Sequence, residues 1–196
     1  MHRTYPTIPT NDLKKGERME KYITTERLTI RPITPNDVSD IHKYASDKSI
    51  TMMMFLPNES LDETKIFVEY AVNEWNKSEP NDREYVIIFN EKIIGGINLE
   101  YSKDKKSCEI GWTIHNQYRN KGFATEAANA LLIYAFNTLK VDKITAHCDS
   151  KNIASEKVMK KLKMKLVSNN GTRYYPKAGI TSGEYLYSVT KKEYEK

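Results

Sequence analysis

The chain has 196 residues, 31 Lys and Arg against 26 Asp and Glu, a net charge of +5, 39% hydrophobic residues and two cysteines. That length supports one well-buried core and is short for two domains. No apolar run approaches the ~20 residues that span a bilayer, the first residues lack the apolar stretch of a secretory signal, and two cysteines make neither a disulfide framework nor a metal set. A cytoplasmic protein without membrane contact is expected, with Cys108 and Cys148 as buried free thiols.

Residues 1–22 hold three Thr, two Pro and mixed charges without a sustained period, and read as an arm with no assigned chemistry. A single domain is expected over residues 23–196. It opens with a strand over 22–30, a helix after Pro35-Asn36-Asp37, a Met-rich turn over 52–57 and a helix over 61–77. Strands over 85–89 and 92–101 follow, joined across Asn90-Glu91. From Ser107 to Ile114 the residues Cys108, Ile110, Trp112 and Ile114 alternate with Glu109, Gly111 and Thr113, the period of a half-buried strand.

The segment Gln117-Tyr118-Arg119-Asn120-Lys121-Gly122-Phe123-Ala124 then runs into Ala127, Ala128, Leu131, Leu132, Ala135 and Phe136, which recur at helical steps. Gly122 permits positive φ or a close approach of the backbone. The first helical turn leaves N–H groups unpaired and its dipole attracts anions, while Arg119 and Lys121 add charge. The segment is therefore an anion loop, suited to a phosphate-bearing cofactor. It lacks the paired glycines and Gly-Lys-Ser/Thr ending of a Walker A loop and the three glycines of a dinucleotide fingerprint. A strand over 143–148 comes next, then a helix with Asn152 at its N-cap and Val158, Met159 and Leu162 on its apolar face. The chain closes with a strand over 164–168, a loop carrying Pro176, Gly179 and Gly183, and a strand over 184–190. This order fits a mixed α/β sheet wrapped by helices.

Four motifs stand in a fixed order: Thr25-Glu26-Arg27-Leu28-Thr29-Ile30-Arg31-Pro32, Glu109-Ile110-Gly111-Trp112, Gln117-x-Arg119-x-x-Gly122-x-Ala124 and Asn152-x-Ala154-Ser155-x-x-Val158. Together they resemble the RimJ/RimL-type branch of the GNAT acetyltransferase superfamily over roughly residues 23–192. One departure is Ala124, where many relatives have a second Gly. The resemblance implies a mostly antiparallel central sheet wrapped by about four helices, with two parallel strands splayed apart at the coenzyme A site. It implies acetyl-CoA as co-substrate, no metal, and cofactor contacts from Gly111, Trp112, Thr113, Ile114, Gln117, Arg119, Asn120, Lys121, Gly122, Phe123, Ala124, Thr125, Asn152 and Ser155. One or two of the lysines between Lys140 and Lys165 would meet the 3′-phosphate; otherwise that run reads as a solvated helix face. Relatives are often monomers or homodimers.

Acetylation of an amine needs a group that removes a proton, because a primary amine is mostly protonated near pH 7. Glu109 is the candidate base and Ser155 the candidate acid for the departing thiolate; the plainer readings are a structural strand glutamate and an ordinary helix-start serine. The acceptor site is expected between residues 51–60, including Met52, Met53, Met54 and Phe55, and residues 174–185. Glu59, Asp62, Glu63 and Glu69 either favour a cationic acceptor or decorate a helix start. His42, His115 and His147 read as structural, with no histidine pair at ligand spacing. The branch suggests a protein N-terminal α-amino group as acceptor, with a small-molecule amine as the near rival. A non-catalytic acyl-CoA-binding domain is a second class. Nucleic-acid binding is the third, disfavoured because the basic charge comes with no nucleic-acid motif.

Overall fold

The computed structural model describes residues 22–51 and 58–196, so the expected arm except Tyr22, and the Met52, Met53, Met54 and Phe55 stretch, lie outside the described residues. In chain order the elements are β1 (Ile23–Thr24), β2 (Thr29–Pro32), α1 (Val38–Ala45), α2 (Lys48–Thr51), α3 (Leu61–Trp75), β3 (Asp82–Phe89), β4 (Lys92–Tyr101), β5 (Ser107–Ile114), α4 (Phe123–Asn137), β6 (Lys143–Asp149), α5 (Ile153–Lys161), β7 (Lys165–Tyr175), β8 (Ile180–Thr190) and α6 (Lys191–Tyr194). The strands form one sheet in the order β1-β2-β3-β4-β5-β6-β8-β7. Every neighbouring pair is antiparallel except β5 and β6.

Alternation along the strands feeds two cores, one on each face of the sheet. On β3, Tyr85 and Ile87 enter the larger core with Ile110, Trp112 and the α4 residues Ala127, Ala128, Leu131 and Leu132. Val86, between them, joins Ile41 and Tyr44 of α1 and Val68 and Ala71 of α3 on the other face. The small residues of α4 let that helix lie close to the sheet, and burial at about 25 cal/mol per Å² of apolar surface drives both layers together.

Two stretches depart from the expected elements. Residues 22–30 are not one strand. Thr25 folds them into a hairpin: its N–H donates to the Leu28 carbonyl and its Oγ1 accepts from the Leu28 N–H, both at 2.9 Å. At the other end, β7 and β8 are much longer than expected, and Gly183 lies within β8 rather than in a loop. Ser168-Asn169-Asn170-Gly171 looks like a turn in sequence. It is instead an irregular part of an edge strand, with register shifts at Leu166/Ser168 and Ser168/Gly171, and edges tolerate such bulges and polar residues.

Arg31 of β2 ties the sheet to the start of α1. Its Nη1 and Nη2 donate to the two oxygens of Asp37 at 2.7 Å, and the N–H and Oγ1 of Thr34 donate to Asp37 Oδ2 at 2.7 and 2.9 Å. Burial by itself raises the Asp37 pKa, but Arg31 and Thr34 more than offset it and hold the carboxyl below its ordinary 3.8. A depressed carboxylate stabilises the fold above its unfolded pKa and stops doing so as pH falls through the folded value. Stability should therefore drop on acidification below about pH 4. Asp37→Ala, which leaves Arg31 without its partner, should cost about 3 kcal/mol, or roughly 6 to 12 °C of melting temperature by thermal denaturation.

Candidate active site

β5 and β6 pair over only three positions, Ser107↔Lys143, Cys108↔Ile144 and Glu109↔Thr145. Beyond them β5 continues to Ile114 against β4 alone, and β6 to Asp149 against β8 alone. The parallel strands thus part, as the resemblance implied. Two cavities, of about 570 and 500 Å³, lie against the parted stretch of β5, and Trp112 and Thr113 line both.

The first cavity lies at the amino-terminal ends of α4 and α5. Gly122 is the N-cap of α4 with φ +83°, a left-handed conformation that favours glycine, and no side chain caps that helix. The contrast with α3 and α5 is direct, since Ser60 accepts from Glu63 N and Asn152 accepts from Ser155 N at 3.0 Å. The uncapped end of α4 leaves N–H groups available to an anion. Arg119 is held beside it by a 3.3 Å bond from its Nε to the Ile114 carbonyl. Trp112, Thr113, Ile114, Arg119, Asn120, Gly122, Phe123, Ala124, Thr125, Asn152 and Ser155 all line this cavity, with Lys151, Lys157 and Lys161 alongside. Gln117 and Lys121 are exposed but do not line it; Lys121 lies over the Tyr118 ring. Gly111 does not line it either and lies on the second cavity.

A residue that sequence reasoning passed over braces the loop from outside. Arg27, in the β1–β2 hairpin, donates from its backbone N and its Nε to the two oxygens of Glu126 in the first turn of α4, at 3.0 and 2.6 Å. Its Nη1 donates to the Lys121 carbonyl at 3.1 Å, and its guanidinium stands 4.6 Å from the Phe123 ring. Thr25 Oγ1 also donates to Glu126, at 2.6 Å. The signal was present in the motif that opens the domain, but nothing in it says what Arg27 touches 99 residues away.

The second cavity lies on the α1 and α3 side of the sheet. Tyr44, Phe67, Glu84, Asn98, Glu100, Glu109, Gly111, His147 and Arg173 are among its lining residues. Glu109 does not stand alone there: its Oε1 is 2.9 Å from His147 Nδ1. That contact raises the His147 pKa above 6.5; burial opposes the rise, and the Glu109 and Glu184 charges add to it. His147 had been read as structural, and the structure puts it at the parting of the strands instead. The missed signal lies in the parallel register, which sets Thr145 beside Glu109 and so turns His147, two residues on, to the same face. The other two described histidines do have local roles. His42 Nδ1 meets Thr64 Oγ1 at 2.8 Å, and His115 Nδ1 accepts from Gln117 N.

The acids expected to attract a cation are elsewhere. Glu63 pairs with Lys177 at 2.7 Å and accepts from the Glu59 N–H, Asp62 pairs with Lys65 at 2.8 Å, and neither they nor Glu59 or Glu69 line the second cavity. Its carboxyls are Glu84, Glu100 and Glu109, brought from three neighbouring strands.

Comparison with known proteins is consistent with this geometry. Residues 27–165 match the family model described as an acetyltransferase (GNAT) domain. An uncharacterised N-acetyltransferase of Bacillus subtilis (strain 168), YnaD, is 33% identical over 176 residues, which covers 88% of this chain and 99% of that one. The crystal structure of a GNAT-family acetyltransferase from Bacillus anthracis is similar with a TM-score of 0.75 and 28% identity, over 88% of this chain and 99% of that one. RimL, a ribosomal α-N-protein acetyltransferase solved in complex with coenzyme A, shares the fold with a TM-score of 0.78 at 16% identity, over 86% and 97% of the two chains.

If Glu109 holds the proton on His147, Glu109→Gln should lower the imidazole pKa toward or below its ordinary 6.5. An NMR titration of the four histidines, with His147→Gln to assign the resonance, measures this directly.

Proposed function

The chain belongs to the GNAT acetyltransferase family and is an acetyl-CoA-dependent N-acetyltransferase, and we propose that it acetylates a primary amine that enters the second cavity and meets the cofactor where β5 and β6 part. The observation that carries this reading is that Trp112 and Thr113 line both cavities, with an uncapped helix end at one and the Glu109–His147 pair at the other.

The residues present fit the cofactor. The N–H groups of Gly122, Phe123, Ala124 and Thr125, with Arg119, would hold the pyrophosphate, and Lys151, Lys157 and Lys161, which line the same cavity, would supply cations for the 3′-phosphate. When bound, acetyl-CoA supplies an acetyl group activated as a thioester. The chain's own part is proton management. Glu109 and His147 face the amine side, and His147 with its ring neutral takes the proton that an ammonium must lose before it is nucleophilic. Ser155 is buried and lines the cofactor cavity, and its hydroxyl would give a proton to the departing sulfur. Attack by the amine is direct. Burial pushes the Cys108 thiol up to about 12 and the Cys148 thiol up to about 11, so neither offers a thiolate to form an acyl-enzyme near neutral pH.

Two acceptor classes follow from different supports. Likeness of fold to RimL favours a protein N-terminal α-amino group. The carboxyls of the second cavity favour a small cationic amine.

Saturating acetyl-CoA, at a hundred times its Kd, should add about 2.7 kcal/mol and raise the melting temperature by roughly 5 to 11 °C. The rise should vanish in an Arg119→Ala, Gly122→Glu double variant; an equal rise in that variant would place the cofactor elsewhere. In a screen of amines following thiol release, Glu109→Gln should lower kcat/KM by about 10²-fold or more. Because Glu109 holds His147 protonated to higher pH, wild-type kcat/KM should climb with pH through a value above 6.5.

A further inference from the structure

The second cavity has an imbalance of charge that the reaction just described does not use. Its cations, Arg173 and His147, both face carboxylates already: Arg173 pairs with Glu184, and His147 with Glu109. Glu84 and Glu100 line the same cavity, and among the described residues neither carboxyl has a hydrogen-bond or ion-pair partner. The sheet sets them next to one another. Asp82, Glu100 and Glu109 form one cross-strand row, and Glu84, Asn98 and Gly111 form the next. Like charges directly opposite on a sheet destabilise it, so this arrangement is not explained by the needs of the fold.

The interior member of the cluster is Glu84. Desolvation first, then the charges of Asp82 and Glu100, push its carboxyl up to about 8, as expected of a half-buried acid beside like charges and without a counter-cation. Asn98 stands between Glu84 and Gly111 in register, and the missing Cβ of Gly111 leaves it room: a Cβ there would meet Asn98 Oδ1 at 2.6 Å. Ile41 and Phe67 provide apolar wall around these polar groups. Across the sheet, Glu84 lies two strand spacings from Gly111, about 10 Å.

We propose that Glu84, with Asn98 beside it and Glu100 nearer solvent, is the subsite for a second cationic nitrogen of the acceptor, and that the acetylated substrate is a small di- or polyamine held at both ends. The inference rests on amine acetylation in the second cavity, as proposed above. One nitrogen is placed at the parting of β5 and β6, where Glu109 and His147 relieve it of its proton. The other, about 10 Å or more from it across the strands, draws the Glu84 carboxyl into its charged form and pairs with it, and the apolar wall accepts the methylenes between. A peptide N-terminus brings a single ammonium followed by backbone amides, and has no use for an acid two strands further in.

The test compares kcat/KM for putrescine and spermidine with that for n-butylamine, and for a short peptide with a free N-terminal serine, in the wild-type full chain and in Glu84→Gln. A charge-assisted hydrogen bond corresponds to roughly a ten- to hundredfold change in affinity. Wild-type protein should prefer the diamine over the monoamine by about that factor, and the ratio should fall at least tenfold in Glu84→Gln. The substitution is isosteric and removes a half-buried acid that has like-charged neighbours, so its melting temperature should not fall; putrescine alone should raise the melting temperature of the wild type more than that of the variant. An unchanged ratio, or a peptide acetylated faster than either amine, overturns the proposal and leaves amine acetylation standing. No transfer to any of these amines, with the stabilisation by acetyl-CoA intact, would remove the acceptor reading itself and this inference with it.

Discussion

The short parallel contact between β5 and β6 is the constraint on which the site depends. Three paired positions join the strands, and then each turns to its other neighbour, β4 or β8. Each strand keeps the ladder on its outer edge, while past Glu109 and Thr145 the backbone groups that face the gap lose the strand partner they would have had in a closed pair. Parallel strands also end on the same side of a sheet, and each of these two is followed by a helix. The amino-terminal ends of α4 and α5 are therefore delivered side by side to the mouth of the gap, as ligand crevices at the carboxyl ends of parallel strands generally are.

Those two helix ends are finished differently, and the difference matches their tasks. Asn152 closes α5 by accepting from Ser155 N, and so fixes the backbone from which Ser155 projects. Gly122 leaves α4 open. An open helix end at the surface still has to be held in place, and here the holding comes from outside the loop, through Thr25 and Arg27 on Glu126. Glu126 is itself in the first turn of the helix, where a carboxylate is favoured by the dipole.

On the opposite face, the sheet gives up stability to gather acids. Glu100 and Glu109 are direct cross-strand partners, Asp82 and Glu100 likewise, and Glu84 stands half-buried beside them. The remaining contacts of that face are ordinary: α1 and α3 rest on Val86, and the hairpin of β7 and β8 is fastened by the Lys177–Glu63 pair and by Tyr175 Oη donating to Asp149 at 3.0 Å. Local sequence rules failing in one place, against a background where they hold, is the usual mark of a functional surface.

Periodicity was enough to read α3, α4, α5, β4, β5 and β6, because each buries one face along its own length and writes that burial into its spacing. Gly122, Asn152 and the alternation that puts Glu109 opposite Trp112 were legible for the same reason, and the four motifs led to the family. The first hairpin and the long β7–β8 pair were not: β1 is two residues long, and β7 is a polar edge strand whose register is broken twice, so neither has a period to read. Contacts between residues distant in sequence were equally silent. That Arg27 would brace the anion loop, that His147 would meet Glu109, and that Glu84 and Glu100 rather than Glu59, Asp62, Glu63 or Glu69 would line the second cavity all depend on strand register and sheet order. The chain alone determined the elements, the helix end and the chemistry of its cofactor, since these arise from neighbours a few residues apart. Which acids gather at the second cavity was decided only when β3, β4, β5 and β6 came together, because no local spacing encodes which strands lie side by side.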